Sequence, residues 1–322
     1  MQAEQQVEAG LTGKKVLSIL GKFKAGLGLL AMVIVMSFLS EHFLTLPNIL
    51  NIIRQVSIMG IIAVGMTFVI LSQGIDLSVG SLLAFTGAVS AGVLSGGYSI
   101  FLAVLAGLGA GAALGLFNGF MIAKANLPDF IVTLAMMSIA RGLTLVYTGG
   151  RPISGFSSGF RFIGGGRIGI IPVPVIIFLV IIMLGYIVLT RTKFGRYVYA
   201  VGGNREAARL AGINTDKIKM AVYTISGILA GLSGVILTSR LNSAQPTAGS
   251  GYELDVIAMV VLGGTSLMGG KGSVQGTLVG ALIIGVLNNS LNLLGVASFY
   301  QEVAKGIVIL IAVLLDRLQH SD

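Results

Sequence analysis

The chain has 322 residues, of which 55% are hydrophobic and 10% are charged, and its formal net charge is +9. Soluble domains carry roughly 25% charged residues, so this composition excludes a soluble protein and indicates a polytopic helical membrane protein. The chain has no cysteine and two histidines, which excludes disulfides and cysteine nucleophiles and argues against a histidine-based metal site or catalytic triad.

Ten apolar runs follow a polar N-terminal segment at 1–24, and each predicts a membrane span or part of one. They lie at 25–40, 52–72, 81–95, 100–123, 130–148, 170–190, 220–239, 256–269, 274–294 and 300–315. A full crossing needs about 20 apolar residues, so the third and eighth runs predict short or broken helices. The predicted fold is an all-α transmembrane bundle at 25–315, with a tail at 316–322.

The basic residues predict the orientation of the bundle, because lysine and arginine are enriched in cytoplasmic loops. With both termini in the cytoplasm, most of the 21 basic residues fall in cytoplasmic segments. We therefore predict cytoplasmic termini and attribute the positive net charge to topology. Three arginines at 149–169 lie outside in this arrangement and could instead form a docking surface.

A polar insert at 191–219 is the largest predicted cytoplasmic segment between spans, and it predicts a short basic helix. Asn204 is a suitable N-cap, and Glu206 lies in the first turn, where the helix dipole favours a carboxylate. Gly212 suits the left-handed position that ends a helix, and Asn214 suits a cap for the next span. The residues alone leave two roles open, a solvated connector and a docking knob for a partner.

Residues 74–81 interrupt an apolar region and include Asp76, whose charge is costly at membrane depth unless it faces protein or water. Non-helical backbone at that depth is tolerated only where it is buried or lines a cavity. The pattern leaves open whether Asp76 lines the translocation path or is a structural cap. Ser78 is expected to cap the helix that follows.

Residues 263–272 form a second glycine-rich interruption. They do not match a phosphate-binding loop, because Thr265 stands where the pattern requires its first glycine and Gly272 replaces the serine or threonine. Two interruptions in the two halves of a chain are typical of internally repeated transporters.

Glycines four residues apart predict close helix crossings. They form three groups: Gly111, Gly115 and Gly119; Gly227 and Gly231; Gly276 and Gly280. Packing within the chain is favoured here over contact between two copies.

Three long motifs resemble those of the ribose and monosaccharide branch of the branched-chain amino acid and sugar ABC permease family. They are GIDLSVGS at 74–81, SAQPTAGSGYELD at 243–255 and VLGGTSLMGGKG at 261–272. Glu206, Ala207 and Ala208 with Gly212 resemble the EAA-type loop of importer permeases, which is the coupling helix that contacts the ATPase subunit. The resemblance implies coupling residues Asn204, Arg205, Glu206, Ala207, Ala208, Arg209 and Gly212.

The same resemblance implies a bacterial cytoplasmic-membrane importer of ribose or a related monosaccharide. Its partners would be a second permease copy, a cytoplasmic ATPase and an extracytoplasmic sugar-binding protein, with no nucleic acid. ATP and magnesium would be bound by the ATPase, so this subunit is expected to hold no cofactor, no metal and no catalytic residue.

Polar residues within spans are candidates for the pathway or for hydrogen bonds between helices. An uncharged sugar would be bound by amide and hydroxyl groups. The pathway candidates are Asp76, Ser78, Asn118, Asn288, Asn289 and Asn292. For the three asparagines near the C-terminus, bonding between helices is favoured. Glu302 and Lys305 are spaced to neutralise each other.

Alternatives remain open at this stage. Within the family, the cargo could be galactose, xylose or a furanosyl signal molecule. An ion-coupled secondary transporter is disfavoured, because the spans offer mainly Asp76 and Glu302 as carboxylates for a relay. Only the two interruptions argue against a membrane scaffold without transport activity.

Overall fold

The computed structural model describes residues 24–319, and over that range the chain is a bundle of α-helices. The helices are α1 Lys24–Leu39, α2 Leu46–Leu71, α3 Val79–Ser95, α4 Ile100–Lys124, α5 Asp129–Thr148, α6 Ser158–Gly165, α7 Val173–Arg191, α8 Lys193–Gly203, α9 Arg205–Leu210, α10 Thr215–Leu241, α11 Tyr252–Leu262, α12 Val274–Leu293 and α13 Ser298–Gln319. The predicted N-terminal segment, except Lys24, and residues 320–322 of the predicted tail lie outside the described residues.

Four two-residue strands accompany the helices in the described range. They are β1 Ile153–Ser154, β2 Arg167–Ile168, β3 Ile171–Pro172 and β4 Ser243–Ala244. Strand β1 pairs antiparallel with β4, and β2 pairs antiparallel with β3. The first pair ties the connection after α5 to the connection after α10.

A helix lies at each of the ten predicted runs, which confirms the prediction of an all-α polytopic membrane protein. Six helices in the described range are long and apolar enough to cross a bilayer, namely α2, α4, α5, α7, α10 and α12. The two runs predicted to be short are α3, with 17 residues, and α11, with 11 residues. The predicted eighth run extends beyond α11, because its last residues belong to the second interruption.

Helices α2 and α10 form the centre of the bundle, and most of their residues are buried. Helix α10 packs against α2, α3 and α4, while α12 packs against α2 and α11. The outer helices α4, α5 and α7 keep only one narrow face buried. Apolar residues on their other faces suit contact with lipid.

Helices α4 and α10 cross along a seam of glycines, as their spacing predicts. A Cβ atom on Gly111 would overlap the carbonyl oxygen of Gly227, and one on Gly115 would overlap the carbonyl oxygen of Tyr223. Gly107, Gly119 and Gly231 continue the seam. The backbones can approach this closely only because no side chain separates them, so these glycines serve packing within the chain.

The chain turns back into the bundle after α10. Helices α3 and α10 run side by side in the same direction, since Asp76 lies by Ser226 and Gly87 lies by Thr238. Gly249, beyond the end of α10, lies against Gly80 near the beginning of α3. Gly80 is roughly 22 Å along α3 from that helix's end at 1.5 Å per residue. Residues 242–251 are therefore a re-entrant segment, and α11 begins inside the bundle.

Arg141 of α5 supports this re-entrant segment. Its Nη1 atom donates to the carbonyl oxygens of Pro246, at 2.7 Å, and Ala248, at 2.8 Å. Non-helical backbone in a membrane must find such partners within the protein. The structure thus gives a role to Arg141, a charged residue within the predicted span at 130–148.

The glycine seam gives a test with a neighbouring control. We expect Gly111→Ala to lower the thermal midpoint of the detergent-purified protein, since the added methyl overlaps the backbone of α10 and such overpacking costs about 1–3 kcal/mol. Gly109 lies on the same helix with open space around its Cβ position, so Gly109→Ala should leave the midpoint unchanged or raise it slightly. Equal midpoints for the two variants would contradict the seam.

Candidate functional site

The polar insert contains the predicted short helix, α9, and before it a second helix, α8, that the sequence did not predict. Asn204 caps α9, because its side-chain oxygen accepts a hydrogen bond of 2.9 Å from the amide of Ala207. Gly212 follows the helix with φ of +83°, the left-handed conformation that glycine adopts most readily. Asn214 caps α10 through a bond of 3.0 Å from the amide of Lys217. The predicted caps and helix end are confirmed.

Helix α9 presents an exposed apolar tip. Ala207, Ala211 and Gly212 are exposed, and Leu210 has 80% of its surface accessible. Ala208, which the resemblance implies to be a coupling residue, is buried instead, so its side chain holds α9 onto the bundle.

Charged groups surround this tip and are paired with each other. Glu206 and Arg209 form an exposed ion pair of 2.8 Å. Asp216 at the beginning of α10 receives Arg205 at 3.3 Å and Lys124 of α4 at 2.9 Å. These pairs hold α9 against the ends of two membrane helices, although exposed pairs of this kind add little stability each.

Helix α8 joins the insert to both interruptions of the membrane helices. Gly202 lies so close to the backbone that a Cβ atom there would overlap the carbonyl oxygen of Leu71, the last residue of α2. That same carbonyl accepts a hydrogen bond of 3.0 Å from the amide of Gly270, in the second interruption. The hydroxyl of Tyr199 donates to the carbonyl of Gly272 at 2.8 Å. The insert, the end of α2 and the second interruption therefore meet at one point.

Burial raises the pKa of Tyr199 above its usual value. A tyrosine phenol is protonated at neutral pH even at its usual pKa, so the burial of Tyr199 only strengthens this preference, and the phenol keeps its proton for the bond to Gly272.

The first interruption, between α2 and α3, is closed by a buried polar network. Asp76 is fully buried and accepts hydrogen bonds from the amide and hydroxyl of Ser78 and, at 2.8 Å, from the hydroxyl of Ser226. The side-chain nitrogen of Asn118 donates to the Ser78 hydroxyl at 3.0 Å. Three pathway candidates thus lie in one network that has no exposed member.

The expectation that Ser78 caps α3 is wrong. Ser78 stands at the N-cap position, but its side chain accepts no bond from the helix. Its hydroxyl donates to Asp76 instead, because that buried carboxylate requires donors more than the helix end requires an acceptor. Asp76 accepts the amide and hydroxyl of Ser78, so it braces the turn that leads into α3.

A second set of polar groups satisfies the free carbonyls of the first interruption. Lys219 donates to Asp129 at 2.8 Å and to the carbonyl of Gln73 at 3.1 Å. The hydroxyl of Tyr223 donates to Asp129 at 2.7 Å and lies 3.3 Å from the carbonyl of Ile75. Sequence reasoning missed this set. Its signal was Lys219 and Tyr223 four residues apart, on one face of a span.

The remaining pathway candidates lie near the opposite end of the bundle and are not brought together with Asp76. Asn289 exchanges two hydrogen bonds with Asn48, at 2.7 and 3.0 Å. Asn292 accepts a bond of 3.0 Å from Gln301. These two asparagines bridge helices, which is the role favoured from sequence. The side-chain oxygen of Asn288 is buried and has no partner among residues 24–319.

The expected pairing of Glu302 with Lys305 is wrong. Lys305 instead forms an ion pair of 3.1 Å with the buried Asp255 of α11. Lys305 pairs with another helix because Asp255 is buried and would otherwise carry an uncompensated charge.

Residues 24–319 contain no group of three or more histidine, aspartate or glutamate side chains that could hold a metal ion.

A bundle of membrane helices with two interruptions and a structured polar insert is the architecture of a transport permease. The chain matches the family described as branched-chain amino acid transport system permease component over residues 48–313, and it belongs to that family.

Individual relatives narrow the comparison. The chain is 55% identical to the ribose import permease protein RbsC of Bacillus subtilis, over 94% of both chains. It is 52% identical to the protein of the same name from Escherichia coli, over 91% of this chain and 92% of that one. It is 44% identical to the D-allose transport system permease protein AlsC of Escherichia coli, over 86% of each. No solved structure gives a significant match.

The junction of α8 with the two interruptions can be tested with adjacent glycines. We expect Gly202→Ala to displace α8 from Leu71 and to reduce transport at least tenfold, since a methyl group there overlaps backbone that cannot rotate away. Gly203 has open space at its Cβ position, so Gly203→Ala should transport at the normal rate. Uptake of labelled substrate at matched protein levels is the measurement, and normal uptake by Gly202→Ala would contradict the junction.

Proposed function

We propose that the chain is the membrane-spanning permease subunit of a bacterial importer of ribose or a closely related monosaccharide. The observation that carries the proposal is the 52–55% identity to ribose import permeases over more than nine-tenths of the chain. The protein would work as a homodimer in the cytoplasmic membrane, with ten membrane segments at 25–315 and both termini in the cytoplasm. A separate ATPase and an extracytoplasmic sugar-binding protein complete the importer.

In the proposed mechanism this subunit moves and its ATPase partner supplies the energy. The ATPase, which binds ATP and magnesium, docks on α9 at the exposed surface formed by Ala207, Leu210 and Ala211. ATP binding draws the two docked inserts together and opens the route toward the binding protein, and hydrolysis resets it. The contacts of α8 with Leu71 and Gly270 support this mechanism, because they connect a docked partner to the interruptions between helices.

Measurement of sugar uptake identifies the sugar that is transported. In a strain that lacks this gene, we expect accumulation of radiolabelled ribose to be lost and to return with the gene on a plasmid. Uptake of allose and xylose is measured alongside as the control for specificity. Retained ribose uptake together with loss of another sugar would contradict the choice of ribose.

A different sugar is the second candidate, and the 44% identity to an allose permease favours keeping it in the test. An ion-coupled mechanism is a third. Membrane vesicles from the strain that carries the gene on a plasmid separate this mechanism from the first two candidates. Uptake that continued without ATP and stopped when the proton gradient was removed would contradict an ATP-driven importer.

The docking surface on α9 gives a further prediction. We expect Ala207→Glu to abolish co-purification of the ATPase subunit and to reduce uptake at least tenfold, because a long charged side chain would stand in the apolar contact. Gly165→Glu is the matched control, since Gly165 is exposed with open space at its Cβ position and lies at the other end of the bundle. Unchanged co-purification with Ala207→Glu would remove this assignment.

A further inference from the structure

A cavity of about 380 Å³ lies at the end of the bundle opposite the insert. Its walls are the first half of α2, the last turns of α10 and the re-entrant segment at 242–251, and Tyr252 of α11 completes it. Ligand sites of small molecules typically measure roughly 300–1,000 Å³. The cavity is therefore large enough for one small polar molecule.

The motif at 243–255 provides much of this cavity. Five of its residues line the wall, among them Gln245, Thr247 and Gly249. Gly249 packs against Gly80 of α3, so this wall descends from the end of α10 into the bundle. Arg141 fixes the segment from behind through its two carbonyl contacts. The non-helical backbone of this segment is thus held in place and faces the cavity.

The lining combines hydrogen-bonding groups with apolar surface. Its polar side chains are Gln55, Arg240, Gln245, Thr247 and Tyr252, and Met59 and Leu237 are among its apolar ones. No carboxylate lines the cavity. A site without carboxylates is unsuited to a cation, and amides, a hydroxyl and a guanidinium suit a neutral molecule with several hydroxyl groups.

Part of this hydrogen-bonding capacity is unused. Within residues 24–319, the side chains of Arg240, Thr247 and Tyr252 make no hydrogen bond, whereas Arg141 makes two. Arg240 forms no ion pair in that range either. It is half-buried beside the cavity, and its five donors are arranged for two neighbouring acceptors at once.

We infer that this cavity is a monosaccharide-binding station on the transport route, in which Arg240 and Thr247 donate to sugar hydroxyls and Tyr252 with Met59 packs against the sugar ring. The sugar class rests on the proposed function. With the insert on the cytoplasmic side, as proposed, the station lies where a molecule released outside the membrane would first meet the bundle. Tyr252 in its wall begins α11, whose far end leads into the second interruption and hence to α8 and the insert.

The natural absence of cysteine permits a direct test. Gln55→Cys places the permease's sole thiol in the cavity, and Tyr98→Cys places one on an exposed turn at the same end of the bundle. The purified importer complex, without binding protein, is treated with iodoacetamide in excess ribose or in buffer, and label on the permease is quantified. We expect ribose to slow the labelling of Gln55→Cys at least threefold and that of Tyr98→Cys not at all.

Two results would overturn the inference. Equal labelling of Gln55→Cys with and without ribose would mean that no sugar occupies the cavity. Equal or stronger protection by inorganic phosphate or by leucine would mean that the cavity takes an anion or an amino acid.

Transport by Arg240 variants gives a second, independent readout. In proteoliposomes with the ATPase and the loaded binding protein, we expect Arg240→Met to reduce ribose accumulation at least tenfold. ATP hydrolysis should stay within twofold, because the docking surfaces are intact. Arg240→Lys, which keeps the charge and one donor group but loses the two-acceptor geometry, should recover part of the transport.

The outcomes separate the two proposals. If the unaltered complex accumulates no ribose, the proposed function fails. If it does and Arg240→Met transports equally well, the binding station alone fails.

Discussion

Hydrocarbon offers no hydrogen bonds, and this constraint governs every place where the backbone of this protein leaves a helix. Each interruption is closed from within the bundle. Lys219 and Tyr223 meet the carbonyls before α3, Arg141 meets those of the re-entrant segment, and Tyr199 with the Leu71 carbonyl meets the second interruption. The polar and charged residues of the spans are therefore the means by which three non-helical segments exist at all.

The sequence was sufficient for the ten apolar helices and for the caps of the insert, but it did not predict α6 or α8. Apolar runs long enough to cross a bilayer identify the membrane helices directly. The caps at Asn204 and Asn214 are also local features, because each is a hydrogen bond between residues three positions apart. The glycine spacing also predicted packing, because close approach of two helices requires small residues at that period. Each of these signals is contained in a short stretch of chain.

Partners distant in sequence could not be predicted. Lys305 was expected to pair with Glu302 on its own helix, but the fold brings Asp255 to it. Ser78 was expected to cap a helix, but its hydroxyl donates to the neighbouring Asp76, a carboxylate that the fold buries against Ser226, and accepts a bond from the distant Asn118. The re-entrant course of 242–251 had no local signal, since a loop outside the membrane and one folded into it can have the same composition. The motif that resembled known permeases marked the place but not its geometry.

Helix α10 spans the distance between the two surfaces of interest. It begins at the insert, where Asp216 is held by ion pairs, and ends at Arg240 beside the cavity. Its 27 residues extend about 40 Å, and the glycine seam binds it to α4 without side chains that could rotate and absorb motion. The two helices therefore form a stiff lever. A tilt of about 5° over that length displaces the far end by roughly 3.5 Å, which is enough to admit or exclude a ring of carbon atoms.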